Sequence, residues 1–505
     1  ICTGAEALIH CLEQQGVEYI FGHPGGAAIP IFDALVDSNI KFILTRHEQG
    51  ATHMADGLAR ASGKAGVCLV TSGPGATNTI TGLLTALMDS VPMVVITGQT
   101  IQSMLGLDAF QEADVSGLTY AAVKHSYLVR DPRDIPRVVK EAFYIAESGR
   151  PGPVLIDIPK DVSGGMCEPD FNVEIDLPGY SVPSHGDPAA IAQCAELLQR
   201  AKKPLLLVGH GAIIADASKP LRALVEKLQI PVVNTLHGKG AFPESHELSL
   251  GMLGMHGTAY ANKAVAECDL IMSVGSRWDD RITGKLSEFC KNAVKIHVDI
   301  DPAEINKIVR PDCTIVGDAR LVLEELLPLA RKGDTAAWVS HVKKLRKRFP
   351  LQYRKHGGLK AQFVLDELYR ITKGKAIVTT DVGQHQMWAA QFYKTDVRRH
   401  WISSGGAGTM GFGMPSAIGA QFARPDALVV AVVGDGGFQM TQAELSTAQV
   451  NKLPIKILIL NNKYLGMVRQ WQALFFDNRL SGVDLEGNPD FVKLAEAYGM
   501  KGFRI

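Results

Sequence analysis

The residues best placed to do chemistry lie near the end of the chain. Residues 428–433 form an apolar run that ends in Gly434-Asp435-Gly436-Gly437. A stretch with helical spacing follows from about Thr441 to Asn451, then Pro454 and a second apolar run, Ile455–Leu460, closed by Asn461-Asn462. Two such strands, as parallel neighbours joined by a right-handed crossover, bring their carboxyl ends together. Asp435 and Asn462 would then meet at the edge where α/β sheets bind ligands. A carboxylate and an amide oxygen suit a small hard cation such as Mg²⁺, which completes its octahedron with water and phosphate oxygens. The glycines let the backbone approach a diphosphate, and the following helix presents its N-terminus to the anion. Taken singly, Gly-Asp-Gly after a strand is often only a tight turn and an asparagine pair only a cap. The combination at this spacing is far more specific.

The elements that must position these residues are those of an α/β chain. At roughly 100–200 residues per domain, 505 residues predict about three domains. Hydrophobic residues are 46% and charged residues 21%, an ordinary globular balance that excludes wholesale disorder. Lys plus Arg is 52 and Asp plus Glu is 52, so the chain lacks the basic footprint of a nucleic-acid binder. The 50 glycines cluster between apolar runs, as tight βα turns require. Runs such as Pro204–Val208 and Ala427–Val433 are strand-length and too short to span a bilayer. The eight cysteines form no CxxC pair and no Cys/His metal spacing, and read as reduced, mostly buried thiols. No secretory signal is visible; the cytoplasm is the expected location, and an organellar transit peptide removed ahead of Ile1 stays open.

Three α/β blocks follow from the alternation of strand and helix patterns. The first, residues 1–165, carries strand candidates Lys41–Thr45, Gly66–Thr71, Met93–Thr97 and Val154–Ile158. A linker over 166–188 leads to a central block, 189–331, with strand candidates Pro204–Val208, Leu270–Val274 and Lys295–Asp299. A connecting segment, 332–358, reads as a solvated helix with Lys343, Lys344, Arg346 and Lys347. The third block, 359–505, ends on a helix at Phe491–Tyr498 and an incoming strand at Lys501–Ile505, so a further C-terminal segment is expected.

The stretch from GDG to the closing NN matches the diphosphate and metal motif of thiamine-diphosphate enzymes, and the chain resembles that superfamily. The resemblance implies three doubly wound parallel-sheet domains and a glutamate, on a separate domain, against the cofactor's aminopyrimidine ring. Here the strand Lys41–Thr45 leads into Arg46-His47-Glu48-Gln49-Gly50-Ala51, which matches the superfamily's pattern at Glu48. A carboxylate bonded to the ring nitrogen favours the tautomer that can remove the thiazolium C2 proton. The plainer reading is a helix-opening glutamate that complements the dipole. Gly22-His23-Pro24-Gly25-Gly26 and Ser72-Gly73-Pro74-Gly75-Ala76-Thr77-Asn78 are turns that could line a ligand pocket or merely join strand to helix. Met410, between glycines in Gly408–Gly413, is either soft core filler or, by the resemblance, the residue that wedges the cofactor into its bent shape.

Within the superfamily the chain is similar to the acetohydroxyacid (acetolactate) synthase catalytic subunits. The stretches that carry this are Ile96–Gln99, Asp108–Glu112, Lys124–Pro132, Ser148–Val162, Leu250–Thr258, Ser276–Lys285, Thr379–Gln391 and Leu465–Gln472. The resemblance implies decarboxylation of pyruvate on thiamine diphosphate and transfer of the two-carbon unit to a second 2-oxo acid, pyruvate or 2-oxobutyrate. It implies Mg²⁺ held by Asp435, Asn462 and the carbonyl of Tyr464, and cofactor contacts at Gly25, Gly26, Met410, Gly434, Gly436, Gly437 and Met467. Arg281 matches the binder of the acceptor carboxylate, a task that suits a planar guanidinium. Trp471 and Phe110 match substrate-pocket residues, and Gln111 and Lys160 catalytic residues near the entrance and cofactor. The plainer readings are an ion pair of Arg281 with Asp279 or Asp280, and ordinary packing for Trp471. FAD is implied on Gly209, His256, Arg277 and Asp299, although no GxGxxG is present. His23 departs from the family's usual Tyr before PGG, and Ile101 from a common Pro. A homodimer or homotetramer is implied, with a separate regulatory subunit open. The alternatives are another thiamine-diphosphate 2-oxo acid enzyme such as pyruvate oxidase, or a non-catalytic nucleotide-binding protein on the same fold.

Overall fold

Continuous apolar runs suit strands covered on both faces, and the computed structural model, which describes residues 1–505, buries most of them that way, while the edge strand Lys456–Leu460 is only half-buried. The first sheet region holds β1 (Cys2–Thr3), β2 (Tyr19–His23), β3 (Lys41–Leu44), β4 (Gly66–Val70), β5 (Met93–Gln99), β6 (His125–Leu128), β7 (Pro153–Pro159) and β8 (Met166–Cys167). Every residue of β4, β5 and β7 is buried. Strands β2 to β7 form one parallel sheet in the order β3-β2-β4-β5-β7-β6. The short β1 and β8 pair with each other, antiparallel, with Cys2 opposite Cys167.

The central region supplies β9 (Pro204–Val208), β10 (Val232–Asn234), β11 (Ser249–Met252), β12 (Leu270–Val274), β13 (Val294–Asp299) and β14 (Cys313–Val316). They form a second parallel sheet in the order β11-β10-β9-β12-β13-β14. The third region supplies β15 (Ile377–Thr380), β16 (Trp401–Ser403), β17 (Val429–Gly434) and β18 (Lys456–Leu460), in the order β16-β15-β17-β18. Strand β17 runs parallel to both β15 and β18. These are the three α/β sheets expected from the sequence.

The chain divides into two compact units: Ile1–Tyr180 with Ile377–His385 and Ile402–Ile505, and Ser181–Ala376 with Gln386–Trp401. In the first unit one core serves two sheets. Phe21, Ile43, Met54 and Val95 share it with Ile377, Phe412, Ile418 and Val433. Its centre is the crossing of helices Glu48–Ser62 and Gly413–Ala423, where each helix offers a glycine to the other's backbone. A Cβ on Gly57 would lie 2.1 Å from the Ser416 carbonyl oxygen, and one on Gly419 only 1.8 Å from that of Met54.

Three local expectations change. The helical stretch after the GDG turn starts at once, as Asp435–Thr441, and then breaks into a 3₁₀ turn, Gln442–Glu444, before Leu445–Val450. Residues 501–505 form no strand, since no neighbouring strand pairs with them. The connecting segment is a helix only over Ala336–Arg348, and it is not wholly solvated, because Trp338, Val342 and Leu345 are buried on its inner face. All eight cysteines are free thiols, seven of them buried.

Because the Met54 carbonyl cannot move without shifting a whole helix, Gly419→Ala is expected to destabilise the first unit by about 3 kcal/mol in urea unfolding. Gly164→Ala, whose Cβ would meet only Pro30 at 3.9 Å, is expected to stay within about 0.5 kcal/mol of the parent.

Candidate functional site

In an open parallel sheet, ligands bind outside the carboxyl ends of strands where the strand order reverses. In the first sheet that point lies between β2 and β4. The candidate residues Gly25 and Gly26 follow β2, Glu48 follows β3, and Thr71 to Asn78 follow β4. Glu48 opens its helix behind the N-cap His47, whose Nδ1 accepts from the Gln49 amide at 3.1 Å. Its Oε2 accepts from Asn78 Nδ2 at 3.0 Å, and a Cβ on Gly75 would stand 3.6 Å from Oε1. A Cβ on Gly25 would collide with Thr71 at 2.5 Å, so the two turns touch; at Gly26 nothing lies within 4 Å. The Thr71 hydroxyl is buried without a protein partner. His23, the departure from the family's Tyr, spends its Nδ1 on the Thr45 carbonyl at 3.0 Å. Gln111 stands at φ 59°, with its backbone against Gly73, while Phe110 is 87% exposed. Lys160 is the exposed first residue of the helix Lys160–Gly164.

In the third sheet the order reverses between β15 and β17. The register sets Gly434 opposite Leu460, so Asp435 and Asn461-Asn462 leave the sheet side by side. Asp435 is 1% exposed and its Oδ2 accepts from Asn488 Nδ2 at 2.6 Å. The same amide lies 3.4 Å from Asn461 Oδ1. Asn462 is exposed; its Oδ1 accepts from the Tyr464 amide at 2.9 Å, and its Nδ2 stands 3.5 Å from Gln384 Oε1. The Tyr464 ring lies under the Arg469 guanidinium, 3.8 Å away. No cluster of three or more His, Cys, Asp or Glu residues could hold a metal. A cation here would draw on the Asp435 carboxylate and asparagine oxygens, a hard donor set that fits Mg²⁺ with waters and phosphate oxygens completing it.

The glycines of this turn are required by what packs on them. A Cβ on Gly434 would meet the His385 ring at 2.8 Å, and one on Gly437 the Asp381 carboxylate at 2.5 Å. One on Gly436 would meet Leu465 at 2.8 Å and the Met410 methyl at 3.7 Å. Met410 is half-buried on a loop held at three places. Asp89 accepts from the amides of Gly405 and Gly406 at 3.0 and 2.7 Å, Thr85 bonds Thr409 at 2.6 Å, and Asp381 accepts from the Gly411 amide at 2.9 Å. Met467 lies half-buried on the helix Gly466–Phe475. Trp471 is on the same helix, 39% exposed and edge-on to Phe475 at 5.7 Å.

Asp381, His385 and Asn488 were not singled out from sequence. The signal for the first two was the polar run that closes β15; for Asn488 there was none. His385 is buried with its Nε2 unpartnered, and burial pushes its pKa down to about 4, which leaves it neutral at pH 7. Burial drives the Asp381 carboxyl up to about 7, against the pull of the Val382, Gly411 and Gly413 amides. The His385 ring turns its Nδ1 edge to Gly434 in a turn too tight for any Cβ, and the backbone amides left bare by these glycines are the groups that fit a diphosphate oxygen.

The second unit has its own reversal, between β9 and β12. Gly209 follows β9, and Gly275, Ser276 and Arg277 follow β12. The Gly209 amide donates to the Val274 carbonyl and the Gly211 amide to that of Gly275, at 2.9 and 3.0 Å. Asp299 closes β13; its Oδ1 accepts from the Asp301 amide at 3.0 Å, and its Oδ2 is 3.6 Å from His297 Nε2. The Ser276 hydroxyl, at the mouth of the reversal, is buried without a protein partner. His256 has its pKa lowered by burial and by Arg281. Arg281 is exposed: its Nη1 is 3.9 Å from Asp280, a long ion pair, and 3.6 Å from the Met255 sulfur. The crevice is of the kind that takes a dinucleotide, which fits FAD.

Comparison with known proteins gives one answer along the whole chain. The N-terminal TPP binding domain of thiamine pyrophosphate enzymes matches residues 2–118, their central domain residues 191–326, and their C-terminal TPP binding domain residues 381–505. The acetolactate synthase isozyme 3 large subunit of Escherichia coli is 49% identical over 514 residues, covering 100% of this chain and 90% of that protein. The acetolactate synthase large subunit of Porphyra purpurea is 51% identical over 519 residues, covering 100% and 87%. A probable acetolactate synthase large subunit of Methanocaldococcus jannaschii is 48% identical over 515 residues, covering 99% and 87%.

The Asp381 carboxyl makes stability pH-dependent with a definite sign. Between its ordinary 3.8 and about 7, only the folded chain holds the proton, so stability should fall as pH rises through that window. The group's full contribution is about 4 kcal/mol, and between pH 5 and pH 8 urea unfolding should show the parent losing about 3 kcal/mol more than Asp381→Asn, since Asp157, also raised to about 7, titrates in both.

Proposed function

The chain belongs to the family of acetolactate synthase large subunits, thiamine-diphosphate-dependent enzymes, and on that premise we propose how its residues make 2-acetolactate. Two pyruvates give one 2-acetolactate and one CO₂; with 2-oxobutyrate as acceptor the product is 2-aceto-2-hydroxybutyrate, for branched-chain amino acid biosynthesis. When bound, thiamine diphosphate supplies the carbon nucleophile and the electron sink. Glu48, steadied by Asn78, holds a proton between its carboxylate and a nitrogen of the aminopyrimidine ring. Asp435, Asn462 and the Tyr464 carbonyl would hold Mg²⁺, and Gly434, Gly436 and Gly437, closed on His385, Leu465 and Asp381, set the backbone of the turn that meets the diphosphate. Met410, on its clamped loop, together with Gly25, Gly26 and Met467, shapes the cofactor pocket.

Arg281, whose exposed guanidinium has a long pair with Asp280 and a contact to the Met255 sulfur, binds the acceptor carboxylate. Trp471 and Phe110 shape the acceptor pocket, and one methylene there is worth only about 1–3 kcal/mol, so acceptor preference is graded. Gln111 and Lys160 act near the entrance. FAD takes Gly209, His256, Arg277 and Asp299. The domains run over 1–165, 189–331 and 359–505. Glu48 and Asp435 belong to different sheets, and we take each site to be shared by two copies in a homodimer or homotetramer; a regulatory subunit is a further partner. No helix is long and apolar enough to cross a membrane. The eight free thiols suit a reducing compartment, and we place the protein in the cytoplasm.

The observation that carries this reading is the β17–β18 register, which brings Asp435 and Asn462 out at neighbouring strand ends. Incubation with pyruvate, thiamine diphosphate, Mg²⁺ and FAD should yield acetolactate, and Glu48→Gln should lower its rate by about 10²–10⁴-fold. Acetaldehyde or acetate in place of acetolactate would overturn it. Asp435→Asn, which removes the one charged ligand, should raise the Mg²⁺ concentration for half-activation by about tenfold or more.

A further inference from the structure

Behind the turn that presents Glu48 lies a second carboxylate, which the proposed chemistry does not use. Glu444 is 1% exposed, on the 3₁₀ turn Gln442–Glu444 that follows the helix of the metal-site Asp435. It reaches from the third sheet region to the first. Its Oε1 accepts from the amides of Arg46 and His47, both at 3.0 Å, and its Oε2 from the Arg46 amide at 3.1 Å and the Thr447 hydroxyl at 2.6 Å. The neighbouring bonds close the same seam. The Arg46 guanidinium donates to Ser446 Oγ and to the Leu44 carbonyl, each at 3.2 Å, and the Thr447 hydroxyl lies 3.4 Å from that carbonyl.

We propose that Glu444 is a positioning residue for Glu48: its carboxylate clamps the two amides that immediately precede Glu48 and so sets where that side chain begins. The proposal rests on the reading of Glu48 given above. Every group bonded to Glu444 is a donor, so the site needs an acceptor on both oxygens, which a carboxylate supplies and an amide does not. Bonds from amides to an ionised acceptor are the stronger kind, and in a buried place the unmade bond is costly. Burial raises the Glu444 pKa, opposed by Thr447, by the two amides and by the Arg46 charge. Gly50 supports the same conclusion from the other side. A Cβ there would stand 2.3 Å from Glu444 Oε1, so the first turn of the Glu48 helix is kept bare for this carboxylate to enter. The reach also has a consequence for the assembled enzyme. The segment that carries Asp435 sets the direction of Glu48 within one chain, and in a shared site those two residues serve different active centres.

Two variants test this. Glu444→Gln keeps the shape but turns an NH₂ towards donors, and Gly50→Ala keeps the carboxylate but pushes it off the amides. Amide hydrogen exchange on the cofactor-free protein should rise by roughly tenfold or more in the segment around Arg46, His47 and Glu48 in both variants, and stay unchanged in β4 and β5. In the acetolactate assay kcat should fall by about tenfold or more, with KM for pyruvate altered less than about threefold. Glu48→Gln runs alongside: if it keeps full activity, the reading of Glu48 fails, whatever Glu444 does. If Glu48→Gln is inactive while Glu444→Gln and Gly50→Ala exchange and turn over like the parent, the positioning role alone is overturned. Should Glu444→Gln lose protection across the sheet, Gly50→Ala decides, and exchange that rises everywhere in both variants means a structural residue only.

Discussion

A strand whose two neighbours both run parallel to it cannot be joined to either by a tight turn, and the rest of this molecule depends on that constraint. The chain must leave each carboxyl end, cross a face as helix and return, and where successive crossovers go to opposite sides, two loops part and leave a crevice. Each of the three sheets does this once: between β2 and β4, between β15 and β17, and between β9 and β12. The candidate residues for the pyrimidine, for the diphosphate with its metal, and for the dinucleotide follow these strands or their immediate neighbours. The chemistry is therefore carried on loops, with stiff buried strands behind them.

Holding the loops requires bonds from outside the loops. In the first unit much of that task falls to buried carboxylates accepting backbone amides. Asp89 takes Gly405 and Gly406, Asp381 takes Gly411, and Glu444 takes Arg46 and His47. Asp89 reaches from the first sheet region to the loop of Met410, and Glu444 reaches back from the third to the turn of Glu48, so each half holds the other's working residue. Asp89 has a counterion: Arg60 bridges it and Asp56 at 2.9 and 2.6 Å, over the ring of Phe412. Asp381 has amides alone, and burial raises its pKa against their pull. A buried charge with hydrogen bonds on every side is rigid, and rigidity is what a proton-sharing geometry needs.

Much of this architecture was legible because parallel strands announce themselves as unbroken apolar runs. Pro204–Val208 and Leu270–Val274 were read to the residue, and the pairing of residues 428–433 with 455–460 followed from the crossover rule. What stayed hidden was whatever depends on residues far apart in sequence. Glu444 lies 398 positions from Arg46, and Asn488 lies 53 from Asp435; neither interval leaves a pattern. The break of the helix at Gln442 was equally hidden, since the apolar spacing runs on through it while the chain turns to aim Glu444. The strand expected at 501–505 had the right residue types and no partner, which is a property of the sheet and not of the segment.

The crevice of the second unit, proposed for a dinucleotide, is lined by glycines that are not contiguous in sequence. The fingerprint's glycines let one βα turn approach a pyrophosphate and pack tightly on the neighbouring strand. Here the same closeness is made by two turns from adjacent strands. Gly275, at φ 64°, fits against Gly211, where a Cβ would sit 2.6 Å from its Cα, and one on Gly209 would sit 2.0 Å from the Gly275 carbonyl oxygen. Neither turn could close on the other with a side chain in between. The requirement for glycine is thus met jointly by positions 66 residues apart, Gly209 and Gly275, and only the β9–β12 register, with Val208 opposite Val274, shows that they are one feature.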